Sequence, residues 1–420
     1  MRGLARTNRL RNTTVDIDYM IITNIKNPGT NLQDDQKDLS MVLIWTSAVL
    51  FLFINPMYGL MFLGFLNIII PIEPTGLKKG LFRRLLCTLG LWAFVINRQY
   101  GVSWGIAVIG IDDIPNYLDI FEKLITKQIS FPFSDPILYL GALFFHTIGV
   151  QLFVYLMLIS LFGIFSIVHL LFSVQTRPYT ALAFLVSAIL PIWDIWGHLS
   201  RTSLALGFFC FLLIDNIANK KPNKAIGTLS VLTHLSFILV TPFYYLVKAF
   251  TVRHRWLISL IVFLPGIGLF LVTNYLPLTS NLFDYVKVFS YQYTVSNINI
   301  IFYALATYFL IFNRSPVILI TSALYLSTLF ISLLGYGVIT ERYTILLYTI
   351  FVIVLISTVK SKLNISALYI GSLIIYTKNY MILSDKNSIS LIFQYFSRGE
   401  PYSVAKGILI NILEMRWAIN

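Results

Sequence analysis

Residues 137–174, ILYLGALFFHTIGVQLFVYLMLISLFGIFSIVHLLFSV, contain no Asp, Glu, Lys or Arg. A helix that crosses a bilayer needs about 20 apolar residues, because lipid offers its backbone no hydrogen-bond partners. This stretch is too long for one crossing and too short for two crossings with a loop between them. We therefore predict an interfacial helix at 137–148, followed by a span that ends near residue 174.

The composition of the whole chain agrees with this segment. Of the 420 residues, 57% are hydrophobic and only 12% are charged, whereas soluble domains have about 25% charged residues. Apolar runs separated by short polar turns predict about 11–13 transmembrane or re-entrant helices. The sequence therefore predicts an all-α, polytopic integral membrane protein.

One membrane domain with polar ends is predicted. Residues 1–40 are polar and begin Arg-rich, which favours a cytoplasmic extension. The multi-helix domain follows at 41–385, with outer loops at 97–136 and 276–299. Residues 386–420 then form an outer C-terminal segment.

The net charge of +13 arises from 31 Lys and Arg against 18 Asp and Glu. Most basic residues lie in short loops, as the positive-inside rule expects. One predicted cytoplasmic loop carries Lys78, Lys79, Arg83 and Arg84. Because no stretch gathers basic residues with interleaved aromatic residues, no nucleic-acid partner is predicted.

The apolar run at 225–247 has basic residues at both ends, so a simple crossing would violate the positive-inside rule. We predict a re-entrant or broken helix pair that turns near residues 233–236. His234 lies at this turn, and an ionisable residue at membrane depth is a functional candidate. The alternative is a neutral core histidine. His146 and His169 are interpreted as structural.

Three arginines at outer helix ends depart from the charge rule, namely Arg98, Arg201 and Arg342. The guanidinium fork binds phosphate through two hydrogen bonds, so arginines that face one cavity would bind a phosphate or pyrophosphate group. The alternative is that each arginine snorkels to its membrane interface. One interpretation of Glu341 is that it only neutralises its neighbour Arg342.

Acidic residues in the outer segments are the other candidates. Asp112 and Asp113 suit a general base for a sugar hydroxyl or a divalent-metal site, although an ordinary solvated loop explains them as well. Asp194 and His198 precede Arg201 with i, i+4 spacing, which predicts a polar cluster. No spaced His/Cys set, P-loop or dinucleotide fingerprint occurs, so neither a cofactor nor a metal is predicted.

Several stretches resemble the EpsG/Wzy-type family of bacterial O-antigen and capsular polysaccharide polymerases. They are GIDDIPNYLDIFEK at 110–123 with SDPILYL at 134–140, RTSLALGFFCFLL at 201–213, LTHLSFIL at 232–239 and GEPYSVAKG at 399–407. The similarity spans most of residues 41–405. It implies a fold related to membrane-embedded glycosyltransferases that use lipid-linked sugars.

The resemblance implies an inverting, metal-independent glycosyltransferase. It would polymerise undecaprenyl-pyrophosphate-linked oligosaccharide repeat units into O-antigen, capsular polysaccharide or exopolysaccharide. Its active site would face the periplasm or the cell exterior, from the bacterial inner (plasma) membrane. Besides the lipid bilayer, a chain-length regulator and a flippase would be its partners.

The resemblance also implies roles for individual residues. The pyrophosphate would be bound by Arg201, Arg342 and Arg98. The catalytic base, or the residue that positions the acceptor, would be Asp112, Asp113 or His234. Further substrate-binding candidates are Tyr117, Asp194, His198, Ser236, Glu341, Tyr343 and Tyr402.

Two other functions remain open at this stage. An O-antigen ligase, or a single-sugar transferase that uses a polyprenyl-phosphate sugar, would share the outer arginines and the acidic first loop. A transporter of lipid-linked oligosaccharides should instead show internal repeats and paired interrupted helices. The sequence shows one candidate interruption, at 225–247.

Overall fold

A computed structural model of the protein describes a large part of the predicted membrane domain. The described residues are 56–69, 77–96, 113–132, 135–188, 192, 195–196, 199–247, 255–275, 297–359 and scattered positions between 361 and 377. Every regular element among them is a helix, as predicted. The predicted extension at 1–40 and the C-terminal segment at 386–420 lie outside the described residues.

The helices follow one another with short connections. In chain order, α1 to α7 are Pro56–Ile69, Leu77–Ile96, Asp113–Ile125, Pro136–Thr147, Leu152–Val174, Pro178–Ala188 and Ser200–Ile217. Helix α8 is Lys224–Thr233, a 3-10 helix is Leu235–Leu239, and α9 to α14 are Thr241–Tyr245, Arg255–Leu260, Leu264–Tyr275, Asn297–Phe312, Pro316–Leu333 and Gly337–Thr358. Among the described residues, three helical stretches are long and apolar enough to cross a membrane: Val154–Val174, Ser200–Ile217 and Pro316–Leu333.

Side-chain contacts give the directions of the helices. Arg84 of α2 meets His169 of α5, and Trp92 donates to the carbonyl of Met157, so α2 and α5 are antiparallel. Phe211 of α7 also lies beside His169. The bundle thus has an Arg84 end, where α2 begins, and an Arg201 end, where α5 and α7 begin.

Two apolar clusters hold the bundle together. The larger cluster is formed mainly by α1, α5, α6, α7, α13 and α14. The smaller one joins α3 and α4 to the first turns of α5, where the Tyr155 hydroxyl donates to the Leu138 carbonyl. This smaller cluster fixes the start of α4 beside the start of α7, and these two helix starts carry the candidate site.

The segment predicted as an outer loop at 97–136 contains helix α3, which the sequence analysis did not identify. Tyr117, Phe121 and Leu124 are buried with i, i+4, i+7 spacing, while Asp119 is exposed. A helix with this spacing buries one apolar stripe and leaves its charged face in solvent. The described charged residues of this helix, Asp119, Glu122 and Lys123, therefore lie on its exposed face.

The predicted cytoplasmic loop at Lys78, Lys79, Arg83 and Arg84 is wrong. All four residues belong to α2, which begins at Leu77. Lysine and arginine are good helix formers, so these basic residues are compatible with the first turns of a helix.

Prolines explain where two apolar runs are interrupted. The break predicted within 225–247 is confirmed, since α8 ends at Thr233 and the chain continues as a 3-10 helix and α9. Within the apolar run at 256–275, a 3-10 turn at 261–263 separates α10 from α11. Pro242 and Pro265 lie near the starts of α9 and α11, and proline cannot continue a helix from the preceding turn.

Candidate functional site

The site is built around the carboxylate of Asp135, whose side chain is 2% exposed. Asp135 directly precedes α4, a position where an aspartate usually accepts hydrogen bonds from the first N–H groups of the helix. Its side chain makes no such capping bond, and Pro136 has no N–H to offer. The carboxylate is instead directed towards charged partners on other helices.

Arg201 lies in the first turn of α7, and two partners hold its guanidinium. Nη1 donates to Oδ2 of Asp135 over 3.0 Å, and Nε donates to the Tyr117 hydroxyl over 2.9 Å. The side chain is 29% exposed, and Nη2 has no hydrogen-bond partner within the described part of the chain. Two nitrogens therefore orient the group, while the third can bind a ligand.

His234 contacts the other carboxylate oxygen. Its Nδ1 lies 3.5 Å from Oδ1 of Asp135, which is an ion-pair distance but longer than a normal hydrogen bond. The side chain is 23% exposed, so the ring is not sealed in the core. The two oxygens of the Asp135 carboxylate therefore face different residues: Oδ2 faces Arg201 and Oδ1 faces His234.

The interruption after α8 presents His234 to the site. His234 adopts φ −151° and ψ 114°, an extended conformation between α8 and the 3-10 helix. Helix α8 rises about 15 Å over its length, against about 27 Å for α7, so the break lies within the bundle. If α8 continued without a break, residue 234 would have a helical backbone conformation instead of the extended one that it adopts here.

A tyrosine from α14 supports the interruption. The Tyr343 hydroxyl donates to the backbone carbonyl of Ser236 over 2.7 Å. Backbone groups released by a helix break must find partners when they lie at membrane depth. Tyr343 and Ser236, both predicted to bind substrate, therefore contact each other and stabilise the break that carries His234.

Asp135 is ionised at neutral pH despite its burial. Burial alone would raise the pKa of the Asp135 carboxyl, but His234 and Arg201 outweigh that effect and hold the pKa below its ordinary value. The carboxylate and the Arg201 guanidinium then cancel in charge. The pair gives a fixed geometry rather than a strong positive field.

The structure brings together only part of the predicted site. Arg201, Tyr117 and His234 meet at Asp135, and Ser236 and Tyr343 lie next to them in the break. Asp113 begins α3 one turn before Tyr117, while Glu341 and Arg342 precede Tyr343 in α14, but the side chains of these three are not described. Predicted site residues outside the described part of the chain are Arg98, Asp112, Asp194, His198 and Tyr402.

Asp135 is the residue that the sequence analysis did not select. It belongs to SDPILYL, one of the stretches that carry the family resemblance, and it directly precedes an apolar run. A carboxylate at the start of a buried helix costs free energy unless a cation pairs with it. The Asp-Pro step before an apolar run could therefore have indicated a paired carboxylate, although not its partners.

Within the described residues, no group of three or more His, Cys, Asp or Glu side chains is arranged to hold a metal ion. Asp135 and His234 are two such side chains, and Arg201 occupies the remaining carboxylate oxygen. The chemistry available from the described residues is therefore that of an arginine fork, a carboxylate and an imidazole.

Comparisons with known proteins give no match, because no family model, no curated protein and no solved structure is similar to the chain. The resemblance to EpsG/Wzy-type polymerases thus stays a prediction that rests on the quoted stretches. The fold and the site define an all-helical protein, compatible with an integral membrane protein, that holds an arginine and a histidine on one buried carboxylate.

Proposed function

We propose that the protein is a glycosyltransferase that polymerises undecaprenyl-pyrophosphate-linked oligosaccharide repeat units. Its products would be O-antigen, capsular polysaccharide or exopolysaccharide. The observation that carries this proposal is the arrangement of Arg201 and His234 on opposite oxygens of Asp135. A group that binds phosphate and a candidate base are thereby fixed within one site.

Arg201 suits the leaving group of such a reaction. Transfer of a glycan from a lipid pyrophosphate develops negative charge on the phosphate as the anomeric C–O bond breaks. A guanidinium that is already oriented stabilises this charge without further reorganisation. Nη2 of Arg201 is the atom that would contact the phosphate, because Nε and Nη1 are engaged by Tyr117 and Asp135. Arg342 would add a second charge.

His234 suits the acceptor. With its Nδ1 facing Asp135, the nitrogen left for a substrate is Nε2. A carboxylate partner favours the tautomer with a proton on Nδ1. The acceptor hydroxyl would attack the anomeric carbon, its proton would pass to Nε2, and the lipid pyrophosphate would leave. Direct displacement of this kind inverts the anomeric centre.

The charge distribution supports an outward-facing site. Basic residues are placed at the Arg84 end of the bundle, including Arg177, Lys220, Lys221 and Lys224. Cytoplasmic ends of membrane helices carry an excess of lysine and arginine. By this rule the Arg201 end would face the periplasm or the cell exterior, where lipid-linked repeat units are joined.

A transporter of lipid-linked oligosaccharides is the second candidate, and one observation favours it. Two successive apolar runs are interrupted, one after α8 and one between α10 and α11. Transporters often build their substrate sites from such discontinuous helices. However, an Asp–His pair beside an arginine has no necessary role in carrying a glycan across a membrane, so we favour transfer chemistry.

The test uses surface polysaccharide from cells that lack this gene, restored with wild type or with Arg201→Ala. A polymerase predicts that Arg201→Ala loses the long ladder, while single repeat units stay on their carrier or final acceptor. Arg201→Lys should also fail, because a lysine lacks the planar fork. Arg314→Ala is the matched control, since Arg314 is an exposed arginine near the start of α13.

Other outcomes would assign other functions. Loss of every repeat unit from the final acceptor would indicate a ligase or an earlier transferase. Accumulation of precursor on the cytoplasmic side would indicate transport. A full ladder with Arg201→Ala, at normal protein levels in the membrane, would contradict the role of Arg201.

A further inference from the structure

Residues 224–245 form a hairpin that begins and ends at the Arg84 end of the bundle. Helix α8 runs away from that end, and the 3-10 helix and α9 return to it. The hydroxyl of Tyr245, the last residue of α9, donates to the carbonyl of Lys224, the first residue of α8, over 2.7 Å. His234 lies between the two limbs, and residues 234–237 are therefore the tip of the hairpin.

Contacts within the hairpin and with α7 hold the tip in the bundle. The N–H of His234 donates to the Ser230 carbonyl over 3.2 Å, and its carbonyl accepts from the N–H of Phe237 over 3.0 Å. The Phe237 side chain is buried and packs against Phe209 of α7, with ring centroids 5.5 Å apart. Apolar packing has no preferred direction, so it keeps the tip in the core without fixing its exact position.

Tyr343 of α14 adds a contact that does have a direction. Its side chain is buried, and its hydroxyl donates to the Ser236 carbonyl over 2.7 Å. Ser236 follows His234 by two residues, so this bond ties the tip to a helix outside the hairpin. A hydrogen bond weakens steeply when its length or angle changes. The position of the tip within the bundle therefore depends on Tyr343.

The contact between His234 and Asp135 is sensitive to the position of the tip. Nδ1 of His234 lies 3.5 Å from Oδ1 of Asp135, which is already longer than a normal hydrogen bond. A shift of the tip by about 1 Å would either close this gap or lose the contact. A misplacement of about 1 Å in a reacting group costs up to about a hundredfold in rate.

We propose that Tyr343 is a positioning residue, which holds the tip through the Ser236 carbonyl and thereby sets the distance between His234 and Asp135. This role rests on the proposed function, in which His234 accepts the proton of the acceptor hydroxyl. It differs from the substrate binding that the family resemblance implies for Tyr343, because the hydroxyl proton is already donated to Ser236. Removal of the hydroxyl should therefore slow the reaction without weakening the binding of substrate.

The rate of polymer formation from lipid-linked repeat units, measured with the purified full-length protein, separates the two roles. Tyr343→Phe should lower kcat about tenfold and leave KM within about twofold of wild type, since the base is misplaced while the substrate contacts remain. A raised KM with an unchanged kcat would overturn the proposal in favour of substrate binding. Unchanged values of both constants would overturn it as well.

Two neighbouring tyrosines provide matched controls. Tyr245→Phe removes a bond of the same length from a tyrosine hydroxyl to a backbone carbonyl of the hairpin, but at its base. Tyr244→Phe removes a buried hydrogen bond of 2.6 Å to Thr321 of α13. Both controls should keep kcat within about twofold of wild type, because neither hydroxyl contacts the tip. If either control loses as much rate as Tyr343→Phe, general loosening explains the effect and the proposal is wrong.

A second background shows whether Tyr343 acts through His234. In a His234→Ala protein, Tyr343→Phe should change the remaining kcat by less than about twofold, because residues that act as a unit have non-additive effects. A further loss in that background, as large as the loss in wild type, would mean that Tyr343 acts independently of His234 and would overturn the proposal.

Hydrogen exchange measures the hold on the tip without any transfer activity. The backbone amides of His234 and Phe237 should exchange faster in Tyr343→Phe than in wild type, and Tyr245→Phe should leave them unchanged, because local opening follows the loss of local contacts. Unchanged exchange at the tip in Tyr343→Phe would overturn the proposal whatever the activity of the protein. Faster exchange at the tip, together with no transfer by wild type, would contradict the proposed function while supporting the hold of Tyr343 on the tip.

Discussion

The two ends of the bundle each bring an arginine close to a histidine, and they differ by one carboxylate. At the Arg201 end, Asp135 lies between Arg201 and His234 and contacts both. At the Arg84 end, Arg84 contacts His169 directly. Within the part of the chain that the structure describes, the same two residue types therefore occur once with a carboxylate between them and once without.

This difference determines what each end can bind. Because Asp135 and Tyr117 each hold one nitrogen of Arg201, the Arg201 end offers a rigid ion pair with little net charge, which suits a reaction. At the Arg84 end, the described residues include no carboxylate that holds Arg84, and its guanidinium donates to the ring of His169 instead. A buried ion pair does not by itself add stability, but removing one member of it is costly.

The largest expected effect comes from Asp135→Asn, which makes the Arg201 end resemble the Arg84 end. The amide keeps the shape but leaves Arg201 and His234 without a counter-charge. We expect a loss of about 2–3 kcal/mol in the free energy of unfolding, and loss of glycan polymerisation. Thermal unfolding in detergent and the polysaccharide ladder measure the two effects.

Asp119→Asn is the matched control for that variant. Asp119 also pairs with a cation, Lys123, over 2.7 Å, but both side chains are exposed, at 57% and 46%. An exposed i, i+4 pair contributes only about 0.3–0.5 kcal/mol. If Asp135→Asn changes stability no more than Asp119→Asn does, Asp135 does not organise the site.

A smaller effect is expected for Tyr117→Phe, which removes a neutral partner of Arg201 and keeps the charge pair. The hydroxyl that accepts from Nε is lost, while the ring stays 5.6 Å from the guanidinium carbon. We expect a loss of about 1 kcal/mol in stability and a severalfold slower transfer reaction. In vitro polymer formation from lipid-linked repeat units measures the rate.

Tyr155→Phe makes the same chemical change in the same small apolar cluster. Its hydroxyl donates to the Leu138 carbonyl over 2.9 Å, so a similar loss of stability is expected. The transfer rate should not change, because Tyr155 does not contact Arg201. Equal rates for the two variants would mean that Tyr117 only supports packing.

The fold could be predicted from the sequence where the length of an apolar run and the charges at its ends limit the number of helices that it can form. The division of 137–174 into two helices is confirmed, as is the break at His234, because length and charge at the ends constrain both. Sequence analysis missed α3, since its apolar residues recur at helical spacing inside a charged segment. It also missed the split between α10 and α11, where Pro265 acts within an otherwise continuous apolar run.

The site was only partly predictable for a different reason. Arg201 and His234 stand out because charged and ionisable residues are rare at helix ends and in apolar runs. Asp135 does not stand out in a segment with several other acidic residues, and only the packing of α4 against α8 distinguishes it. His169 likewise gives no sign in the sequence that Arg84 will reach it from another helix.

The smallest expected effect is that of pH on the pair of Asp135 and Arg201, and it tests whether the Asp135 carboxylate stays ionised. The folded pKa of Asp135 is lower than its unfolded value of about 3.9, so the unfolded chain takes up the proton first as the pH falls. The stability contributed by the pair is therefore complete above about pH 5 and is lost below about pH 4. His234→Gln keeps a hydrogen-bond donor beside Asp135, so comparing it with the double variant His234→Gln, Asp135→Asn measures the carboxylate with Arg201 as its charged partner. The melting-temperature difference between these two proteins should stay constant from about pH 5 to 8. A difference that shrinks as the pH falls within that range would mean that, without the imidazole, burial outweighs Arg201, so that the contrast between the two ends would depend on His234 as well as on Arg201.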